Sequence, residues 1–213
     1  MTIAHPIPSV QTPNRREGAF LWLVVAVSLI HSFFIARDRL TWGFEVFWVA
    51  LALPGLACCQ KRLPLSRLLC WLLAIHALVL IHGGAYTYAE TPLGFYLRDA
   101  FSFSRNPWDR VGHFVQGFEP AILSRELLLR FTPLKRGNLL IYIILSICLA
   151  FSASFELLEW GVAIVFGEDA EAFLAVQGDV WDTQWDMFLC LAGASMSLLV
   201  LARAHDRQLG LRK

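Results

Sequence analysis

Apolar residues in this chain gather into long blocks, without the alternation of half-buried strands or the single apolar stripe of surface helices. The blocks run over about Ala19–Ala36, Gly43–Cys59, Leu68–Tyr88, Asn138–Phe166 and Trp185–Ala204. Each can cross a hydrocarbon core of roughly 30 Å at about 1.5 Å per residue. A sixth stretch, Trp108–Phe131, has the length of a span but carries Asp109, His113, Gln116, Glu119, Arg125 and Glu126 and is interrupted by Gly112, Gly117 and Pro120. The pattern predicts an all-α fold, a polytopic transmembrane bundle of six spans over residues 19–204. A disordered cytoplasmic arm at 1–18 precedes it and a basic cytoplasmic tail at 205–213 follows. The first block exceeds the apolar core of a signal peptide and runs into Arg37–Asp38–Arg39 without a small-residue cleavage site, so it is expected to be retained.

Composition agrees. The chain has 213 residues, of which 57% are hydrophobic and 16% charged, with a net charge of +1; ordinary globular domains hold about 45–50% and about 25%. This excludes a disordered chain, a disulfide scaffold and a basic nucleic-acid binder, and leaves membrane lipid as the expected partner. Basic residues accumulate on the cytoplasmic side. With six spans and both termini inside, only Arg37, Arg39, Arg98, Arg105 and Arg110 of the 18 Lys and Arg fall outside. Five spans would weaken that asymmetry, so the charges favour Trp108–Phe131 as a real, polar crossing.

The remaining motifs carry little chemistry. Cys58, Cys59, Cys70, Cys148 and Cys190 form no C-x-x-C pair and read as small buried hydrophobes. No phosphate-binding glycine loop is present, which argues against an ATP-driven machine. Most tryptophans, Trp71, Trp108, Trp181 and Trp185 among them, fall near span ends and read as interfacial anchors.

Ionisable residues inside a span are the informative exception, since each costs roughly 2.5–3.5 kcal/mol on insertion. Three groups stand out. Asp109, His113 and Gln116 follow one another at spacings of four and three, which keeps them on one helical face; so do Glu156 and Glu159, and so do Asp179, Asp182 and Asp186. In the six-span topology all three groups lie in the outer half of the membrane and can converge. Carboxylates crowded around one imidazole must be offset by a cation, by shared protons or by water.

A divalent metal, Mg²⁺, Mn²⁺, Ca²⁺ or Zn²⁺, suits such a donor set. His113, Glu159, Asp182 and Asp186 are the candidate ligands, Asp109, His113 and Glu156 the candidate catalytic groups, and Gln116 and Asp179 secondary. The competing readings are a proton-sharing cluster and a structural polar network in which Asp179 and Asp182 are helix caps. His31, His76 and His82 read as satisfied core histidines, with His82 placed to join the cluster. Glu119 lies about 80° from the Asp109 face, and Arg125, Glu126 and Arg130 read as surface pairs at headgroup level.

The stretches DRVGHFVQGFEPAILSREL (Asp109–Leu127), SFELLEW (Ser154–Trp160) and QGDVWDTQWDM (Gln177–Met187) resemble the YjdF-like family of bacterial inner-membrane proteins, a family of unknown function. A more distant resemblance is to the VanZ-like membrane proteins associated with glycopeptide-antibiotic resistance. Their order of an Asp four residues before His–Phe, a later Glu and an Asp heading a Gly-containing helix is similar to Asp109, His113–Phe114, Glu156 or Glu159, and Asp182 with Gly193. Asp186 departs from that pattern, standing where it has Asn. These likenesses imply a bacterial inner-membrane protein with an outward polar site. The expected activity is metal-dependent hydrolysis or transfer on a lipid or lipid-linked envelope molecule. The alternatives are a small proton- or cation-coupled transporter and a structural membrane partner.

Overall fold

The computed structural model describes residues 10–59, 63–167 and 174–211. Among them are seven α-helices and no strand: α1 (Arg15–Ile35), α2 (Arg39–Cys59), α3 (Arg67–Tyr86), α4 (Pro92–Phe101), α5 (Trp108–Phe131), α6 (Asn138–Phe166) and α7 (Asp182–Gln208). A single 3₁₀ turn, Tyr88–Glu90, links α3 to α4. Four helices, α1, α3, α6 and α7, are long and apolar enough to cross a membrane. With 21 and 24 residues, α2 and α5 also have the length. The polar crossing expected at Trp108–Phe131 is one continuous helix, although Pro120 removes a backbone donor inside it.

Local chemistry sets the helix ends. Asn14 caps α1 by accepting from the Glu17 amide at 3.0 Å, Ser66 caps α3 from Leu69, and Pro92 opens α4 at a position where its missing donor costs nothing. Asp38, ahead of α2, accepts from the amides of Leu40 and Thr41 and from the Thr41 hydroxyl. Those bonds, the hydroxyl's first, hold its carboxyl below the usual carboxylate range.

Packing divides the bundle into two halves of three helices. In the first, α1, α2 and α3 enclose Leu21, Val25, Val46, Val49, Ala74 and Ile81; in the second, α5, α6 and α7 enclose Ala121, Leu140, Ile144, Cys148, Cys190 and Ala194. The seam between them runs along α3 and α5 through Leu65, Leu69 and Ile122. The most extensive pairing is α5 with α7. It depends on two glycines: a Cβ at Gly117 would overlap the Cys190 carbonyl, and one at Gly193 the Phe114 carbonyl. Lipid supplies no hydrophobic drive between helices, so such close backbone approach, with its dispersion contacts, is what holds the pair.

Several details differ from the sequence expectation. Residues 10–18 are ordered: Gln11 donates its amide to the Gln208 carbonyl and accepts from the Arg67 amide, both at 2.8 Å, and α1 starts at Arg15. Residues 1–9 and 212–213 lie outside the described part, as do the side chains of Cys58 and Cys59. Helix α4 has no counterpart in the block pattern because it is short and amphipathic; its exposed Leu93, Tyr96 and Phe101 suit a helix lying in the interface. Trp108 is buried and is no interfacial anchor, its ring packing edge-on against His82 and its Nε1 donating to the Val79 carbonyl.

The largest correction concerns the far end of the bundle. Arg125 and Glu126 do not form surface pairs. Glu126 is fully buried, where it accepts from Arg130 at 2.8 Å, from the Ser66 amide at 3.0 Å and pairs with His205 Nε2 at 3.0 Å. Arg125 bridges His205 Nδ1 and Asp206. Those partners stand about 80 residues away on α7, beyond the reach of a local sequence pattern. The tail read as beginning at residue 205 is still helix as far as Gln208, and His205 is part of the core.

Candidate functional site

At the opposite end of the bundle α5 and α7 begin and α6 ends, so their polar residues meet. The three groups picked out by helical spacing do converge there. His113 Nε2 lies 3.6 Å from Asp109 Oδ1 and 3.9 Å from Asp186 Oδ2, and its Nδ1 lies 3.8 Å from Glu156 Oε1. All four side chains are buried. These separations exceed hydrogen-bond lengths, and His113 Nδ1, Glu156 Oε1 and Asp186 Oδ1 have no hydrogen-bond partner. Glu156 also accepts from the Thr183 side chain.

One ligand atom each from Asp109, His113 and Asp186 falls within 4.8 Å of the others. A cation with bonds of about 2.0–2.5 Å spaces its ligand atoms roughly 3–4.5 Å apart, so a modest inward shift would close this set around an ion. Buried polar atoms left unpaired are costly, which gives the cluster a physical reason to take up a cation or to share protons.

Arginines occupy the rest of the acidic set. Arg105, whose side chain is only 9% exposed, donates to Asp182, lies 3.4 Å from Asp109 Oδ2 and is held by the carbonyls of Ala175 and Val176 at 3.1 Å. Arg110 donates to Asp179 at 2.7 Å and stacks over Trp185. Asp179 also accepts from the Trp181 amide, as a residue leading into a helix does. The connection ahead of α7 is stitched down at Asn106, whose amide and carbonyl both bond the Gln177 side chain, at 3.1 and 3.0 Å. Of the expected ligands, His113 and Asp186 stand free of arginine in the cluster, whereas Asp182 is engaged by one.

Glu159, a half-buried expected ligand, faces a neighbouring cavity of about 90 Å³ that it shares with Asp109, His113 and Gln116. That cavity brings in residues the sequence reading passed over. Glu45, on α2, hydrogen-bonds to Tyr88. The Tyr88 ring sits where Cβ atoms at Gly83 and Gly112 would collide with it, so two glycines on different helices make its slot. His82 lies beside Tyr86 and Trp108 and stays out of the cluster. Glu45 had a usable signal, as the one acid inside the Gly43–Cys59 block; Arg105 had another, four residues before Asp109.

Comparisons with known proteins agree with this architecture. The family described as "Predicted membrane protein (DUF2238)" matches residues 18–207. The chain is 42% identical over 187 residues to "Inner membrane protein YjdF" of Escherichia coli (strain K12), an alignment covering 88% of this chain and 90% of the relative. No solved structure matches it. With four or more apolar helices and this relative, the chain is a multi-pass inner-membrane protein, and it belongs to the DUF2238 family of membrane proteins.

Proposed function

We propose that this protein is a divalent-cation-dependent enzyme acting on the phosphate-bearing headgroup of a membrane lipid or lipid-linked envelope molecule, from the outer face of the membrane. One observation carries the reading: a buried imidazole ringed by carboxylates from three helices, with unpartnered atoms turned toward one another. Asp109, His113 and Asp186 hold the cation. Glu156 is placed as general base, and Gln116 and Glu159 line the adjoining space. A bound cation supplies charge stabilisation at a phosphoryl oxygen and lowers the pKa of its water.

The topology belongs to the same proposal: α1, α2, α3, α5, α6 and α7 cross, and both termini are cytoplasmic. The distribution of Lys and Arg supports it. So does the Gln11–Gln208 backbone bond, because an even number of crossings returns the chain to its starting side.

A coupled carrier is the second reading, favoured by the polar groups that continue along the bundle as His76–Glu119 and then Glu126–His205. Between those two pairs, however, the fully buried Ile122 and Leu69 interrupt the line of polar groups. An apolar stretch between them suits a polar site confined to one end of the bundle.

The test is elemental analysis of protein purified without chelator, together with neutral replacements. Near-stoichiometric metal is expected in the parent and in Glu159→Gln, and loss of it in Asp186→Asn and His113→Ala, all of which should still insert. Absence of any metal under every loading condition would reject the cation.

A further inference from the structure

Beneath the polar cavity lies a second, larger one of about 630 Å³, within the size range of small-molecule sites. Its walls are apolar, with Trp22 from α1, Leu53 from α2, Leu73 and Ala77 from α3, Leu123 from α5 and Ile147 from α6. The two cavities adjoin: Trp48, His76, Leu80 and Phe151 line both. Along α3 the larger one runs from Leu80 to Cys70, on the order of 15 Å at 1.5 Å per residue.

Two features mark this space as a binding site. His76 Nδ1 pairs with Glu119 Oε2 at 2.9 Å on its wall, yet His76 Nε2 and the buried Glu119 Oε1 have no partner. A polar pair with unspent hydrogen-bonding capacity therefore stands at the neck between an apolar chamber and an acidic one. The flank between α2 and α6 is also loosely closed. These helices meet through ring contacts, Trp48 with Phe151 at 6.0 Å and Phe44 with Phe166 at 5.8 Å, without the close backbone packing of α5 and α7. Trp48 and Phe151 are 37% and 39% exposed.

We infer that the larger cavity holds one long hydrocarbon chain of an anionic phosphate-bearing lipid, admitted sideways between α2 and α6, with His76 and Glu119 bonding its polar neck and its head lying at the His113 cluster. The placement of the head rests on the cation-dependent reading; the seating of the chain does not. A hydrocarbon chain matches a long, narrow, apolar slot, and the neck pair supplies both a donor and an acceptor where the chain meets its headgroup. An acyl phospholipid and a polyprenyl phosphate share this chemistry.

The experiment uses the full chain in vesicles of phosphatidylethanolamine and phosphatidylglycerol. One arm is doped with a phosphatidylglycerol carrying a mid-chain diazirine, the other with a diazirine-bearing polyprenyl phosphate; after illumination the labelled peptides are mapped. Label at Leu73, Ala77 or Leu123 in either arm is expected, and the arm that labels identifies the source. Filling the slot with Ala77→Trp, or more mildly with Ala77→Phe, should reduce interior label by about tenfold while label at the exposed Leu23 and Leu139 persists. Label confined to such outward residues in both arms overturns the inference. Metal measured on the same samples separates the two readings: bound metal with outward label alone rejects the chain site and keeps the cluster, whereas interior label without metal keeps the chain site and rejects the cation.

Discussion

Gly117 and Cys190 set the distance between α5 and α7, because the α-carbon of one faces the carbonyl of the other with no room for a methyl group between them. Gly193 repeats the arrangement from the opposite helix against Phe114. His113 lies one turn before Gly117 and Asp186 one turn before Cys190, so the crossing also sets the span of the cluster. Gly117→Ala and Gly193→Ala are expected to cost about 1–3 kcal/mol each and to weaken metal retention. Gly161→Ala on α6, where a Cβ meets nothing, should do neither. Thermal unfolding in detergent and metal titration on the three variants check this.

Arg105 and Asp182 make a buried pair at the roof of the site, with Asp109 drawing on the same guanidinium. Removing the cation of such a pair strands its acids. Arg105→Ala is expected to destabilise by about 3–5 kcal/mol, and adding Asp182→Asn should return a large part of that loss. A double-mutant cycle by thermal unfolding measures it; purely additive effects would show that the contact contributes nothing.

At the far end, Glu126→Ala leaves Arg130, His205 and the Ser66 amide without their shared acceptor. A loss of about 3–5 kcal/mol is expected, without change in metal content, since the cluster stands at the other end of α5. A drop in metal at full fold would show that the two ends are coupled.

The positions of the loops test the topology. In a background lacking the five native cysteines, Ser104→Cys and Val180→Cys should react with an impermeant maleimide on intact spheroplasts. Lys135→Cys and Arg207→Cys should react only after lysis. Labelling of Arg207→Cys from outside would remove the outward site together with the six-span count.

How much of this was legible in the sequence follows from the range of each interaction. Asp109, His113 and Gln116 were readable because a helix repeats locally, and insertion cost makes a mid-span acid such as Glu156 conspicuous. The same local rule misjudged Arg125 and Glu126: basic and acidic residues at a span end look solvated until a histidine about 80 residues later is placed between them. Tyr88 was unreadable for a related reason. Its slot is cut by glycines on two helices, and an absent side chain carries no polarity pattern. Asp182 kept its place at the site, but only the fold reveals that Arg105 has claimed it.

The pairing of α5 with α7 has a consequence for how the protein is made. The 50 residues from Thr132 to Trp181 separate the two helices, so α5 leaves the ribosome several seconds before α7 at ~5–20 residues per second. During that interval the acids of α5 are answered from α3 and from their own stretch of chain, by His76 at Glu119, by the Ser66 amide and Arg130 at Glu126 and by Arg105 at Asp109. The seam between the halves, modest in the finished bundle, is then the cradle in which the most polar helix waits, and a defect in α3 would surface first as failed biogenesis of α5.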